Sequence, residues 1–314
     1  MRFLHKQQTL VTAMFAKIFS TWFILALAGF LSFSAHAADD SLRVDASTLV
    51  TAIEQQHQTA VVLDARSEAL YQQDHIPGAL NFPVNWTYAH KKTNGQVIEP
   101  NQAQTLFRKL GLDIHTPVII YDDGALVDAA RLFWTLEVYG LQKVKVLSTG
   151  YDYWTNKGYP TTDRVPFVTP SKYIAEVKHQ RLATKFSTLL ATKNPNDLII
   201  DARPLPAYLG EQSSAKRFGH IPTAISIPAS HNLKLENHMA SFQPVNALEK
   251  VYSDIPKNKK VIIYCAIGRI SATNYFALRE LGYDVANYDA SWKQWGNDLA
   301  LPIANPSFSK DNEN

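Results

Sequence analysis

The chain has 314 residues, 46% of them apolar, which is enough for two domains of ordinary size that each bury a core. Lys and Arg number 31 against 28 Asp and Glu, but Arg2, Lys6 and Lys17 all fall in the first 37 residues, so the remainder is neutral and lacks the basic face that nucleic acid or an anionic membrane would need. One cysteine excludes an internal disulfide and any cysteine-based metal cluster, and the 10 histidines form no HxxxH or HxH pair, so no metal or other cofactor is expected.

Residues 1–37 read as a secretory signal: three basic residues, an apolar run over 18–33, and Ala35-His36-Ala37 as a small-x-small cleavage site. Export, to a bacterial periplasm, is the expected localisation, with no stable membrane insertion after cleavage. An uncleaved anchor is the alternative, because the apolar run lies near the lower limit for a spanning helix.

Residues 45–160 read as a first α/β domain. Apolar runs at 61–63, 118–121 and 144–147 have the length and branching of buried parallel strands. Between the last two, Leu126, Ala129, Ala130, Phe133 and Leu136 recur at helical spacing, and Gly140 marks a stop. Strands alternating with helices predict a mainly parallel sheet with helices on both faces. Pro160, Pro166 and Pro170 break regular structure and mark 161–171 as a linker, leaving 172–303 as a second domain and 304–314 as a tail.

The second domain repeats the first. Residues 61–66, VVLDAR, return at 198–203 as LIIDAR; DHIPGALNFP at 74–83 returns as GHIPTAISIP at 219–228; and 117–140 returns as 260–283. The anchors Asp64 and Asp201, His75 and His220, Asp122 and Cys265, and Trp154 and Trp295 are 137, 145, 143 and 141 residues apart, as expected of a duplicated globular domain.

Cys265 follows the apolar run 261–264 and precedes a predicted helix over 271–281. Ligands of a parallel α/β sheet bind beyond the carboxyl ends of its strands. Backbone amides not yet committed to helix bonds can converge there on an anion. Gly268 permits a tight turn and Arg269 adds a cation, conditions that favour a thiolate. On placement alone, a nucleophilic thiol and an inert buried one stand level.

The motifs D-A-R, H-I-P-x-A, Y-C-x-x-G and Y-D-x-S-W-x-x-W (288–295) resemble, over roughly residues 45–303, those of tandem rhodanese domains, the family of thiosulfate and 3-mercaptopyruvate sulfurtransferases. The resemblance implies an enzyme with Cys265 as its catalytic nucleophile. It also implies that the loop Cys265-Ala266-Ile267-Gly268-Arg269-Ile270, with Ser271, binds a small anionic sulfur donor through its amides and Arg269. Transfer would be ping-pong, through a Cys265 persulfide to a thiophilic acceptor such as cyanide or a thiol. The first copy, with Asp122 in place of the cysteine, would be silent. A monomer without cofactor is expected.

Two departures from the family pattern leave the donor open. Ala266 and Ile267 match neither the cation of thiosulfate-using members nor the small hydroxyl residue of mercaptopyruvate-using ones, and Ala207 stands where an arginine is common. Arg203, Lys216 and Arg217 remain as candidate anion contacts, with local pairing the competing role for Arg203. His75, His220, Trp154, Trp292 and Trp295 are expected to pack rather than react. A Cys-x5-Arg phosphatase loop does not fit, because the sixth residue after Cys265 is Ser271. A non-catalytic persulfide carrier or redox sensor built on Cys265 is the rival reading.

Overall fold

The computed structural model describes residues 41–89, 95–236 and 239–307, so the signal-like segment 1–37 and the end of the tail lie outside it. The first half runs β1 (Arg43–Val44), α1 (Ala46–Glu54), β2 (Val61–Asp64), α2 (Glu68–Gln73), β3 (Leu80–Asn81), a 3-10 turn (Val84–Thr87), α3 (Pro100–Lys109), β4 (Val118–Tyr121), α4 (Val127–Val138), β5 (Val144–Leu147) and α5 (Tyr151–Asn156). The second half runs β6 (Leu182–Ala183), α6 (Lys185–Ala191), β7 (Asp197–Asp201), α7 (Leu205–Tyr208), β8 (Ile225–Ser226), a 3-10 turn (Ala229–Asn232), β9 (Leu233–Glu236), β10 (Met239–Phe242), α8 (Val245–Val251), β11 (Lys260–Tyr264), α9 (Ser271–Glu280), β12 (Val285–Tyr288) and α10 (Ser291–Trp295).

Each half builds one five-stranded sheet, in the orders β1-β5-β4-β2-β3 and β6-β12-β11-β7-β8, with every pairing in them parallel; the second half adds an antiparallel β9-β10 pair. The strand residues Val62, Leu63, Ile120, Val261, Ile262 and Ile263 are all buried, as continuous apolar runs covered on both faces require. The duplication is therefore structural, and the doubled α/β architecture is the one the sequence predicts.

The helix predicted from Leu126 up to the stop at Gly140 is shorter at both ends. It spans Val127–Val138 because Leu126 takes a left-handed φ of 59° at its start, which closes the preceding loop. The linker is longer than 161–171. Residues 161–181 contain only a single bridge, Thr162 to His75. Past its prolines the segment is pinned to the first domain: the Tyr173 hydroxyl donates to Tyr139 O at 2.6 Å, Arg108 Nε to Tyr173 O at 2.7 Å, and Trp134 Nε1 to Arg181 O at 2.9 Å.

The two halves share one core, with α4 packed on α9. The Phe133 and Phe276 rings meet edge to face, with centroids 5.1 Å apart, a contact worth about 0.5–1.5 kcal/mol beyond its buried area. At the rim, Glu137 accepts from Tyr275 Oη at 2.5 Å and from Arg279 Nε and Nη2 at 3.0 and 2.9 Å.

After its 3-10 turn each half sends out a hairpin that touches the other half. In the first, Ile98 N donates to Thr87 O at 2.8 Å and Tyr88 bridges Val97; in the second, Gln243 N donates to Asn232 O at 2.8 Å and β9 pairs with β10. Ser241 of β10 bridges Thr149 of the first domain. In return, Gly95 lies so close to the second domain that a Cβ there would stand 2.5 Å from Ile267 O and 2.4 Å from Asp289 O, so only glycine fits.

Candidate active site

Each pair of central strands ends on the same polar platform. Asp201, at the end of β7, accepts from Tyr264 Oη at 2.6 Å and from Arg203 Nε and Nη2 at 3.0 and 2.6 Å. Asp64 accepts from Tyr121 Oη and from Arg66 in the same way. Arg203 also donates from Nη2 to Gly219 O at 2.7 Å and lies over the Trp292 ring, so Nε and Nη2 of this buried guanidinium are held locally, while its Nη1 is buried without a protein partner. Arg217 is likewise spent on the carbonyls of Trp295, Asp298 and Leu301, and Lys216 is exposed.

The histidines and tryptophans pack. The His75 and His220 rings stack on Tyr71 and Tyr208 at 3.8 and 3.9 Å, and each Nδ1 lies 2.8 Å from its tyrosine's carbonyl oxygen, to which it donates; His75 Nε2 also lies 3.2 Å from Arg164 O. Burial pushes His220 below the ordinary histidine range. Trp154, Trp292 and Trp295 are wholly buried.

Above the second platform the chain turns from β11 into α9. Cys265 is 1% exposed, and its N–H donates to Ser291 Oγ at 3.1 Å. Trp292 N and Lys293 N hold the carbonyls of Cys265 and Ala266, each at 3.0 Å. Gly268 has a φ of +68° and sits against the Asp289 backbone, where a Cβ would approach to 2.5 Å. Its carbonyl accepts from Asn287 Nδ2 at 3.1 Å, while Asn287 Oδ1 accepts from Ser271 Oγ at 2.8 Å. Ala266, Ile267 and Ile270 are half-buried. Among the described hydrogen bonds, none places an acceptor on the amides of residues 266–270.

The corresponding loop of the first domain is filled. Asp122 is buried, and its Oδ1 accepts from Gly124 N and Leu126 N at 3.0 Å, its Oδ2 from Asp128 N and Ala129 N at 3.1 Å. Burial, then the neighbouring Asp123 charge, pushes its carboxyl up to about 7, with the amide bonds acting in the opposite direction. A cleft of about 380 Å³ opens above it, lined by Glu68, Asp122, Asp123 and Asp128 against the single cation Arg66. That acidic surround is unsuited to an anionic ligand.

Cations from both domains lie near Cys265. Arg269 is 45% exposed, and its Nε donates to Asp128 Oδ1 of the first domain at 2.6 Å. That carboxylate pairs with Nε, and no protein acceptor is described for Nη1 or Nη2. The buried cation beside the loop is Arg131 of α4, whose Nη1 donates to Gly268 O at 2.9 Å and which interacts electrostatically with Cys265. Tyr88, also from the first domain, interacts with Cys265, Arg131 and Arg269, and burial pushes its hydroxyl upward. Neither residue was singled out from sequence. The available signal was a lone arginine within the apolar run 129–136.

A model of the rhodanese-like domain matches residues 45–157 and again 182–298. A Haloferax volcanii protein provisionally named thiosulfate sulfurtransferase is 31% identical over 255 residues, covering 77% of this chain and 87% of that protein. The sulfur carrier protein TtuD of Thermus thermophilus is 30% identical over 251 residues, covering 75% of this chain and 87% of its own. Among solved structures, SseA from Escherichia coli, described as a 3-mercaptopyruvate sulfotransferase, superposes with a TM-score of 0.69 at 25% identity, over 81% of this chain and 99% of that one. With both halves matched and the strand order repeated, the chain belongs to the rhodanese family.

Proposed function

We propose that this rhodanese-family protein is a sulfurtransferase that carries sulfane sulfur on Cys265. One observation supports the reading above others: the same loop is built twice. In one copy four amides close on the Asp122 carboxylate, and in the other a thiol stands at that position with the loop amides lacking protein acceptors. An aspartate cannot carry a sulfane sulfur, so the first copy is silent. The Cys265 thiolate attacks the outer sulfur of thiosulfate, forming an S–S bond as the original S–S bond breaks, and sulfite leaves with the electron pair. With 3-mercaptopyruvate the broken bond is C–S, and the departing carbon takes a proton to give pyruvate. Cyanide or a thiolate then attacks the terminal sulfur and Cys265 leaves as thiolate. The amides of 266–271, held by Asn287, Ser291 and the α10 N-terminus, would stabilise the anionic sulfur in both steps.

Incubation with either donor is expected to add about 32 Da to the intact protein, with thiocyanate released on adding cyanide. Cys265→Ser should lose both signals. Folded protein that gains no mass from either donor would sink the enzyme reading. A persulfide carrier loaded by a partner protein is the second reading, supported by the 30% identity to the sulfur carrier protein of Thermus thermophilus. It predicts mass gain only with that partner present.

Export to a periplasm is part of the same proposal. It is supported by the basic start, the apolar run 18–33 and Ala35-His36-Ala37. N-terminal sequencing of protein from whole cells should begin at Ala38; a start at Met1 would favour the anchor.

A further inference from the structure

Arg131 lies in the first domain, yet its donors are directed at the second domain's loop and at the hairpin that covers it. Nη1 donates to Gly268 O at 2.9 Å, Nη2 to Gly95 O at 3.0 Å and Nε to Thr87 Oγ1 at 3.3 Å. The guanidinium is wholly buried, 4.6 Å from the Tyr88 ring centroid and 4.3 Å from that of Trp134. No carboxylate pairs with it among the described residues. The nearby Asp289 spends its oxygens on Val97 N and Ala290 N, at 2.6 and 2.7 Å. A buried cation without an ion-pair partner is a poor device for stability, since its desolvation costs several kcal/mol. The second copy does without one: 143 residues on stands Asn274, which donates to Ile227 O of its own domain at 2.9 Å. The arginine is thus present only where it faces the loop that carries a thiol.

We propose that Arg131 is a positioning residue for sulfur transfer, supplied by the silent domain: its guanidinium fork ties Gly268 to Gly95, and its charge stabilises the anionic sulfur of Cys265. The proposal rests on the sulfurtransferase reading. With the Gly268 carbonyl held by Arg131 and Asn287, the planar trans peptide aims the Arg269 N–H in the opposite direction, which fixes one amide of the cradle. The charge acts from a site shielded from water, where its field is weakened less than that of the exposed Arg269.

Because Cys265 is the only thiol in the chain, its alkylation can be followed without interference. The full-length protein and its Arg131→Lys and Arg131→Met variants are compared by circular dichroism, by kcat and KM for the donor, and by alkylation with anionic iodoacetate and neutral iodoacetamide. A residue that only holds the fold would change both alkylation rates together. The proposal expects the iodoacetate to iodoacetamide ratio to fall about tenfold in Arg131→Met, equivalent to roughly 1.4 kcal/mol. Arg131→Lys should keep that ratio but lose kcat with little change in KM, since one ammonium cannot span two carbonyls. An unchanged ratio in folded Arg131→Met, or wild-type kcat in Arg131→Lys, overturns it. If Arg131→Met does not fold, Arg131→Lys decides by the same kcat criterion. If wild-type protein takes sulfur from no donor, the function reading fails, and the alkylation ratio still decides whether Arg131 acts on the thiol.

Discussion

Asp122 and Cys265 occupy equivalent positions with opposite consequences. Four N–H donors converge on the Asp122 carboxylate, so Asp122→Ala leaves them without a protein acceptor and is expected to cost about 1–3 kcal/mol in urea unfolding; an unchanged midpoint would show that the loop relaxes or admits water. His220 gives a pH test. Burial lowers its folded value below the ordinary 6.5, so between the two values the unfolded chain binds the extra proton. Its contribution to stability is therefore complete above about 6.5 and is lost as pH falls through the folded value. The stability gap between the wild type and the non-titrating His220→Asn should change as pH falls from about 6.5 to the folded value and stay constant below it, and profiles that run parallel through that window would contradict the assignment. Cys265 and Asp122 were legible from sequence because the duplication aligns them. Arg131 was not, because its partners Gly268 and Gly95 lie 137 and 36 residues away, one of them in the other domain. The pairing of Arg269 with Asp128, 141 residues distant, was hidden for the same reason.

Among the elements, β2, β4 and β5 were read almost to the residue, since a short branched apolar run buried on both faces has few alternatives. The two hairpins were not read at all. Their significance lies in what they cover, and periodicity describes only a strand's own faces. Helices α4 and α9 carry the contact between the domains, and Glu137 gathers three hydrogen bonds from the partner helix. Glu137→Ala strips Arg279 and Tyr275 of their acceptor and is expected to cost on the order of 2 kcal/mol. The measurement is the urea midpoint, and a shift equal to that of an exposed control such as Glu176→Ala would argue against a clamp.

For the whole molecule, one core runs through both halves, containing Phe133 and Leu136 from the first and Phe276 and Leu278 from the second. Thermal unfolding is therefore expected as a single transition by calorimetry, with calorimetric and van't Hoff enthalpies in agreement. Two resolved transitions would mean the halves are energetically separate.

The crossed hairpins have an evolutionary corollary. Duplicated genes ordinarily leave one copy free to decay once the other performs the task. Here Gly95 of the first copy packs on the second copy's loop and β10 of the second bridges Thr149 of the first, so decay can remove a chemical function but not the domain that held it. The first copy does without a thiol at no cost to the second, whereas the second could not do without the fold around Asp122. The inert half is retained as a working part of its neighbour.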